Sequence, residues 1–277
     1  MELPHNTDLP FFAYGLFRPG QIAYFQIRDC VQTGKEPANV KGELRIRDGL
    51  PIVDSSGRGL VEGAVLHFKT GEAIEAYTRI ARLEPEKQYR WETTNVDEKS
   101  VNILIGISPK QGSTITDHGA WDGWNDPLLT AALDVVQETI DSSGDFEWNL
   151  KPLFRLQMAY LLLWSSIERY LSLRYHLADR AKFKVDHLGD EAAFIDAIAR
   201  YVQEKRSVTR ADRPKEKYVL DPTSPKLAVN YYYQVRSNIT HRGKGVPRDH
   251  DTLLMSATEL LQIFRDVLRQ AKTDAQA

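Results

Sequence analysis

The chain has 277 residues, with 36 Lys and Arg against 38 Asp and Glu, a formal net charge of −2. An apolar content of 42% beside 27% charged side chains excludes a chain disordered throughout, and a single cysteine, Cys30, excludes an intrachain disulfide. The small net charge conceals a split, because residues 1–149 carry 14 basic and 23 acidic side chains, net −9, whereas residues 150–277 carry 22 and 15, net +7. Opposite signs suggest two units with different partners, and a basic half is the kind of footprint a polyanion such as nucleic acid uses. The longest strongly apolar run, Met158 to Trp164, falls far short of the ~20 residues of a membrane span. Residues 1–10 lack the basic flank and apolar core of a secretory leader, so a cytoplasmic protein with no membrane partner is expected.

From Phe11 to about Ser108, short apolar segments punctuated by Gly, Pro and Asp predict strands at Phe11–Tyr14, Lys41–Arg47, Leu60–Phe68, Tyr89–Val96 and Val101–Ile107. Turn signals stand at Arg18-Pro19-Gly20, Asp48-Gly49-Leu50-Pro51 and Ser55–Gly59. One helix is predicted at Gly71–Arg82, where Ala73, Ile74, Tyr77 and Ile80 recur at helical spacing and Pro85 stops the run. After a polar stretch, Lys110 to Asp126, the pattern turns helical. Asp126-Pro127 reads as a cap opening a helix through about Thr139. Further helices are predicted at Leu150–Leu177, Asp190–Lys205, Lys226–Thr240 and Asp249–Lys272, the last with an apolar stripe of Leu253, Leu254, Ala257, Leu261, Phe264 and Leu268. Arg206–Pro225, with Arg210, Arg213, Lys215 and Lys217, reads as an exposed basic loop, either a solvated connector or a polyanion contact.

Phe11-Phe12-Ala13-Tyr14-Gly15-Leu16-Phe17-Arg18-Pro19-Gly20 runs a strand into a tight glycine turn, whose successive N–H groups can form a concave anion site. Together with Val61-Glu62-Gly63-Ala64-Val65 and with Leu83-Glu84 followed by Tyr89, this run resembles the gamma-glutamylcyclotransferase-like superfamily over about the first hundred residues. Leu16 and Phe17 stand where that family usually has a hydroxyl residue and Leu, and Ala81 where an Asp often precedes the helix-ending acid. The resemblance implies a small mixed β-barrel in which Glu84 is a general base. The residues Tyr14, Gly15, Leu16 and Phe17, with Tyr89, would hold a gamma-glutamyl-like or other small anionic ligand. Glu86 is a second acid two positions away.

Arg236-Ser237-Asn238-Ile239-Thr240-His241-Arg242-Gly243-Lys244-Gly245 sets an Arg and a His five apart, ~140° around an ideal helix. Glycines 243 and 245 and Pro247 predict that the helix finishes about His241, where unwinding would bring His241 back beside Arg236. Such a pair suits RNA cleavage without a metal: the Arg fork matches phosphate oxygens, and an imidazole titrating near neutrality can move the proton of a ribose 2′-hydroxyl. A His in the last helical turn is also favoured simply by the helix dipole.

The segment resembles the Arg-x-x-x-x-His signature of the HEPN superfamily, and the likeness extends over about Asp126 to Lys272. It implies catalytic roles for Arg236 and His241, supporting or RNA-binding roles for Ser237, Asn238, Glu168, Arg242 and Lys244, and paired motifs in a homodimer.

The expected fold class is therefore α+β: a small mixed β-barrel over residues 1–112, a linker over 113–125, and an all-α helical bundle over 126–277. The leading expectation is a metal-independent endoribonuclease regulated by a ligand-binding barrel. The alternative is release of 5-oxoproline from gamma-glutamyl amines, with the helices as a dimerisation or binding module, and a third reading has both units as binding modules. No cofactor is expected: no histidines pair at ligand spacing, and neither a Walker loop nor a dinucleotide fingerprint occurs. Trp121 and Trp124, with Asp122 and Asp126, either line a groove or pack where the two units join.

Overall fold

A computed structural model describes residues 1–116, 119–175, 186–210, 212–242 and 247–276, with only the backbone at 241–242 and 247–248. The chain forms two compact units. One holds Met1–Asp126 with Leu173–Ala178 and Lys272–Ala277, the other Pro127–Ser172 and Asp179–Ala271. The fold is mixed α and β.

The first unit contains β1 (Phe11–Ala13), β2 (Val31–Lys41), β3 (Glu43–Arg47), β4 (Leu50–Asp54), β5 (Leu60–Phe68), helix α1 (Ala73–Leu83), β6 (Tyr89–Val96), β7 (Lys99–Gly106) and β8 (Thr114–Ile115). Five strands form one sheet in the order β2-β5-β1-β7-β6, and three form another in the order β4-β3-β8. Both sheets are open, so the expected barrel does not close among the described residues. No ladder joins the edge strands β2 and β6, and β2 carries Pro37, which has no N–H to donate and belongs on an edge. Short β1, buried throughout, lies at the centre, antiparallel to β5 and parallel to β7. Gly63 is required there, because a Cβ would come within 2.5 Å of the Ala13 carbonyl oxygen on the paired strand.

Three strands of this unit were not anticipated, β2, β4 and the short β8. β2 is mostly exposed and lacks apolar alternation. β4 begins inside the Asp48-Gly49-Leu50-Pro51 turn signal: Asp48 and Gly49 alone form the loop, both at positive φ, and Arg47 already pairs with Leu50. On α1 the buried face is Ala76, Tyr77, Ile80 and Ala81, while Ile74 points to solvent. Residues 113–125, expected as a linker, belong to the first unit: β8 pairs with β3, and the buried Trp121 and Trp124 donate indole N–H groups to the carbonyls of Gly49 and Gly20. Two indoles cannot remain on a solvated tether without losing the burial of large apolar surfaces.

The second unit is built on α2 (Ala131–Asp141), α3 (Lys151–Arg174), α4 (Ala192–Tyr201), α5 (Pro225–Arg242) and α6 (Pro247–Gln276). Its core is aromatic, with Tyr160, Trp164, Tyr170, Phe194, Tyr231 and Phe264 fully buried. The stripe expected on α6 is buried at Leu253, Ala257, Leu261 and Phe264 and half-buried at Leu254 and Leu268. Helix α2 starts at Ala131 rather than beside Pro127, since Thr130 leaves helical conformation at φ −128° and ψ −87°.

The unit is not all-α. The segment expected as a basic loop forms an antiparallel hairpin, β9 (Arg206–Thr209) with β10 (Lys217–Leu220), in register Arg206 to Leu220 and Thr209 to Lys217. Most of its charge is neutralised locally. Arg206 makes a forked pair with Glu259, Arg210 pairs with Asp212 at 2.7 Å, and Arg213 with Glu216 at 3.1 Å. Among the described residues, no helix is long and apolar enough to cross a membrane.

Candidate functional site

The tight turn after β1 is closed by the Arg18 N–H donating to the Gly15 carbonyl at 3.0 Å and the Ala23 N–H donating to the Leu16 carbonyl at 3.1 Å. Gly15 is required by close approach, since a Cβ would lie 2.7 Å from Cγ of Pro51. Among the described residues, the N–H groups of Gly15, Leu16 and Phe17 donate to no protein acceptor. Three successive N–H groups without acceptors are the raw material of an anion nest.

Helix α1 ends at Glu84, whose backbone turns to an extended conformation (φ −84°, ψ 130°) while its N–H still donates to Ile80 at 3.0 Å. That exit turns the side chain inward: Glu84 is only 8% exposed, whereas Glu86 is exposed. Of the two acids open to choice in the sequence, only Glu84 is buried. Burial pushes its carboxyl up to about 8, because a charged carboxylate loses its hydration there. Its Oε2 has no hydrogen-bond partner among the described residues.

Glu84 and the Tyr14–Phe17 turn line one cavity, with Pro51, Tyr89 and Leu104 completing the wall. Tyr14 donates its hydroxyl to the Leu104 carbonyl at 2.7 Å, and Tyr89 donates to the Pro51 carbonyl at 2.9 Å. Burial, and then the neighbouring Glu84 carboxylate, hold the Tyr14 phenol well above its ordinary value. All six residues predicted for this site, Tyr14, Gly15, Leu16, Phe17, Glu84 and Tyr89, therefore share one wall. Sequence reading missed Pro51 and the two accepting carbonyls, which no side-chain pattern announces. The cavity measures about 20 Å³, enough for a water-sized group.

The second set of predicted residues is arranged differently. The Arg236 guanidinium lies 5.5 Å above the Tyr233 ring and 3.8 Å from Oε1 of Glu168 on α3, both side chains being 29% exposed. Asn238 belongs to another face of α5, where it donates to the Thr209 carbonyl at 2.9 Å and accepts from Gln234 at 2.8 Å. Ser237 is half-buried between these faces. Helix α5 continues through Arg242, so positions 236 and 241 stand ~140° apart around its axis rather than on an unwound end. The side chains of His241 and Arg242, and Lys244 as a whole, lie outside the described residues.

No family model, curated protein or solved structure matches this chain. Among the described residues, no three His, Cys, Asp or Glu side chains gather in a way that could hold a metal ion.

Proposed function

We propose that the first unit is a proton-transfer enzyme of the gamma-glutamylcyclotransferase type, with Glu84 as its base and the Tyr14–Phe17 turn as the seat of the substrate's anionic group. The observation that carries this reading is the buried, partly unpartnered Glu84 carboxyl, pushed up to about 8, in one cavity with three successive N–H groups lacking acceptors. In the reaction, the substrate's alpha-amino nitrogen bonds to its gamma-carbonyl carbon, and the bond from that carbon to the leaving amine breaks. Glu84 accepts the proton lost by the attacking nitrogen and returns it to the departing amine, so 5-oxoproline and a free amine form without water. A substrate of that size enters only if the walls of the water-sized cavity move apart.

A base must be ionised to act, so turnover should rise about tenfold per pH unit below 8 and level off above it. Glu84→Gln should lower 5-oxoproline release from gamma-glutamyl dipeptides by about 10²-fold or more. Wild-type protein that releases none at pH 9 would overturn the reading.

A second reading, RNA cleavage by the second unit, is favoured by Arg236: its guanidinium is partly open to solvent and loosely held by Glu168, so it remains available to a phosphate. In this reading His241 moves the proton, and two copies of the chain pair their motifs. His241→Ala and Arg236→Ala should each abolish cleavage of single-stranded RNA by the wild-type chain. Absence of both RNA cleavage and RNA binding at low salt would end this reading.

A further inference from the structure

The second unit contains a cavity of about 270 Å³ that shares no residue with the Glu84 site, and Ser207, Val208 and Thr209 of β9 form one side of it. Among the described residues, β9 pairs with β10 alone, so its other edge carries no strand. The Arg210 N–H donates at 3.1 Å to the carbonyl of Glu216, directly opposite it in the register, and the ladder bonds therefore recur at Val208 and Arg206. Ser207 and Thr209 thus point their N–H and carbonyl groups away from β10. The Asn238 side chain, donating at 2.9 Å, takes the Thr209 carbonyl. The other three groups, the N–H and carbonyl of Ser207 and the N–H of Thr209, have no partner among the described residues.

Lys217 stands opposite Thr209 and on the same face of the hairpin, and among the described residues its ammonium has neither an ion pair nor a hydrogen bond. Asp249, Gln157 and Thr252 also line the cavity, but each is already engaged. The aliphatic wall is Val208, Leu153, Val235, Ile239 and Leu253. The cavity therefore combines a strand edge with groups to spare, an unpaired cation and an apolar pocket.

These groups fit a strand laid parallel to β9 whose last residue lies beside Val208. In parallel pairing that residue donates its N–H to the Ser207 carbonyl and receives the Thr209 N–H on its own carboxyl end, while the Ser207 N–H bonds the carbonyl two residues earlier. The next donor along such a strand would need the Thr209 carbonyl, which Asn238 holds. The added strand must stop there. An antiparallel strand would need the same carbonyl and is disfavoured for the same reason. Exposure agrees with this direction, since Ser207, at the entry, is exposed and Thr209, at the stop, is half-buried.

We propose that the β9 edge receives the C-terminus of an extended peptide with an aliphatic last residue, by strand addition. Lys217 and the Thr209 N–H hold its carboxylate, and the wall around Val235 and Leu253 holds its last side chain. The site uses neither Glu84 nor Arg236.

The test is fluorescence anisotropy of the full chain with fluorescein-labelled hexapeptides of alternating threonine and serine that end in leucine, isoleucine or valine with a free carboxylate. At least one should bind saturably. Amidating its carboxylate, replacing its last residue by aspartate, or methylating the backbone nitrogen of its last residue should each weaken binding about tenfold or more. Methylating the penultimate nitrogen, which points away from β9, should change it less than threefold. Lys217→Gln should weaken the free-carboxylate peptide about tenfold and leave the amidated one unchanged. The proposal is overturned if none of the three peptides binds, if the amide binds as well as the acid, or if methylation acts equally at the last and penultimate nitrogens. Equal binding of the aspartate-ended peptide, an unaltered affinity in Lys217→Gln, or displacement of the peptide by an equal concentration of free leucine would also overturn it.

Discussion

Glu84 and Arg236 are both ionisable side chains marked out by local sequence pattern, but the fold treats them in opposite ways. The chain turns Glu84 inward at the end of α1, strips its water and sets it against a turn with donors to spare. Arg236 stays in the middle of a helical turn, partly solvated above Tyr233. The difference teaches that a spacing rule along one helix places residues around its axis, whereas a reactive environment comes from segments remote in sequence. Glu84 meets Pro51, Leu104 and the β1 turn. Arg236 and Asn238, two positions apart, go to different faces.

That contrast can be sharpened by energetics, beginning with the largest expected effect. The Glu84 carboxyl is pushed up from 4.5 to about 8 in the folded chain. Between those values the folded state keeps a proton that the unfolded chain has lost, so stability should fall as pH rises through this window. The total is on the order of 4–5 kcal/mol. Urea unfolding from pH 4 to 9 should show this decline for wild type and a flatter profile for Glu84→Gln. Equal slopes in the two proteins would mean that Glu84 is not desolvated. Gly15→Ala should cost about 1–3 kcal/mol in the same experiment, because the new methyl meets Pro51, and it should also disturb the turn. An unchanged midpoint would show that Pro51 yields easily. Arg236→Gln should change stability by less than about 1 kcal/mol, since its pair with Glu168 is long and partly solvated. A loss of several kcal/mol would place Arg236 with Glu84 among the desolvated groups.

Legibility in the sequence followed physical cause. β5, β6 and β7 were visible because apolar runs bounded by turn residues mark strands with a buried face. β2 was hidden because an edge strand exposed along most of its length needs no apolar pattern. The β9–β10 hairpin was hidden because its three arginines are balanced by Glu259, Asp212 and Glu216, and Glu259 is far away in the chain. The Glu84 cavity was legible through the combination of glycine turn, helix-ending acid and following tyrosine. The resemblance already pointed to Glu84, but that Glu84 is buried while Glu86 is exposed is a property of the fold and not of the pattern. The cavity around Lys217 and Asp249 left no local trace, since its lining is drawn from five elements between Leu153 and Leu253.

The position of β1 has a consequence for the order of assembly. The strand lies between β5 and β7, so its ladder with β5 cannot form before residues 64–66 exist, nor its ladder with β7 before residues 102–103. During synthesis Phe11 and Phe12 therefore emerge long before their partners, and β2 is translated while the central strand still has no neighbour. The β3–β4 hairpin, closed by Asp48 and Gly49 alone, needs no such wait and gives the nascent chain an early local foothold. The turn that later faces Glu84 is thus among the first parts of this unit to be made and among the last to be fixed in place.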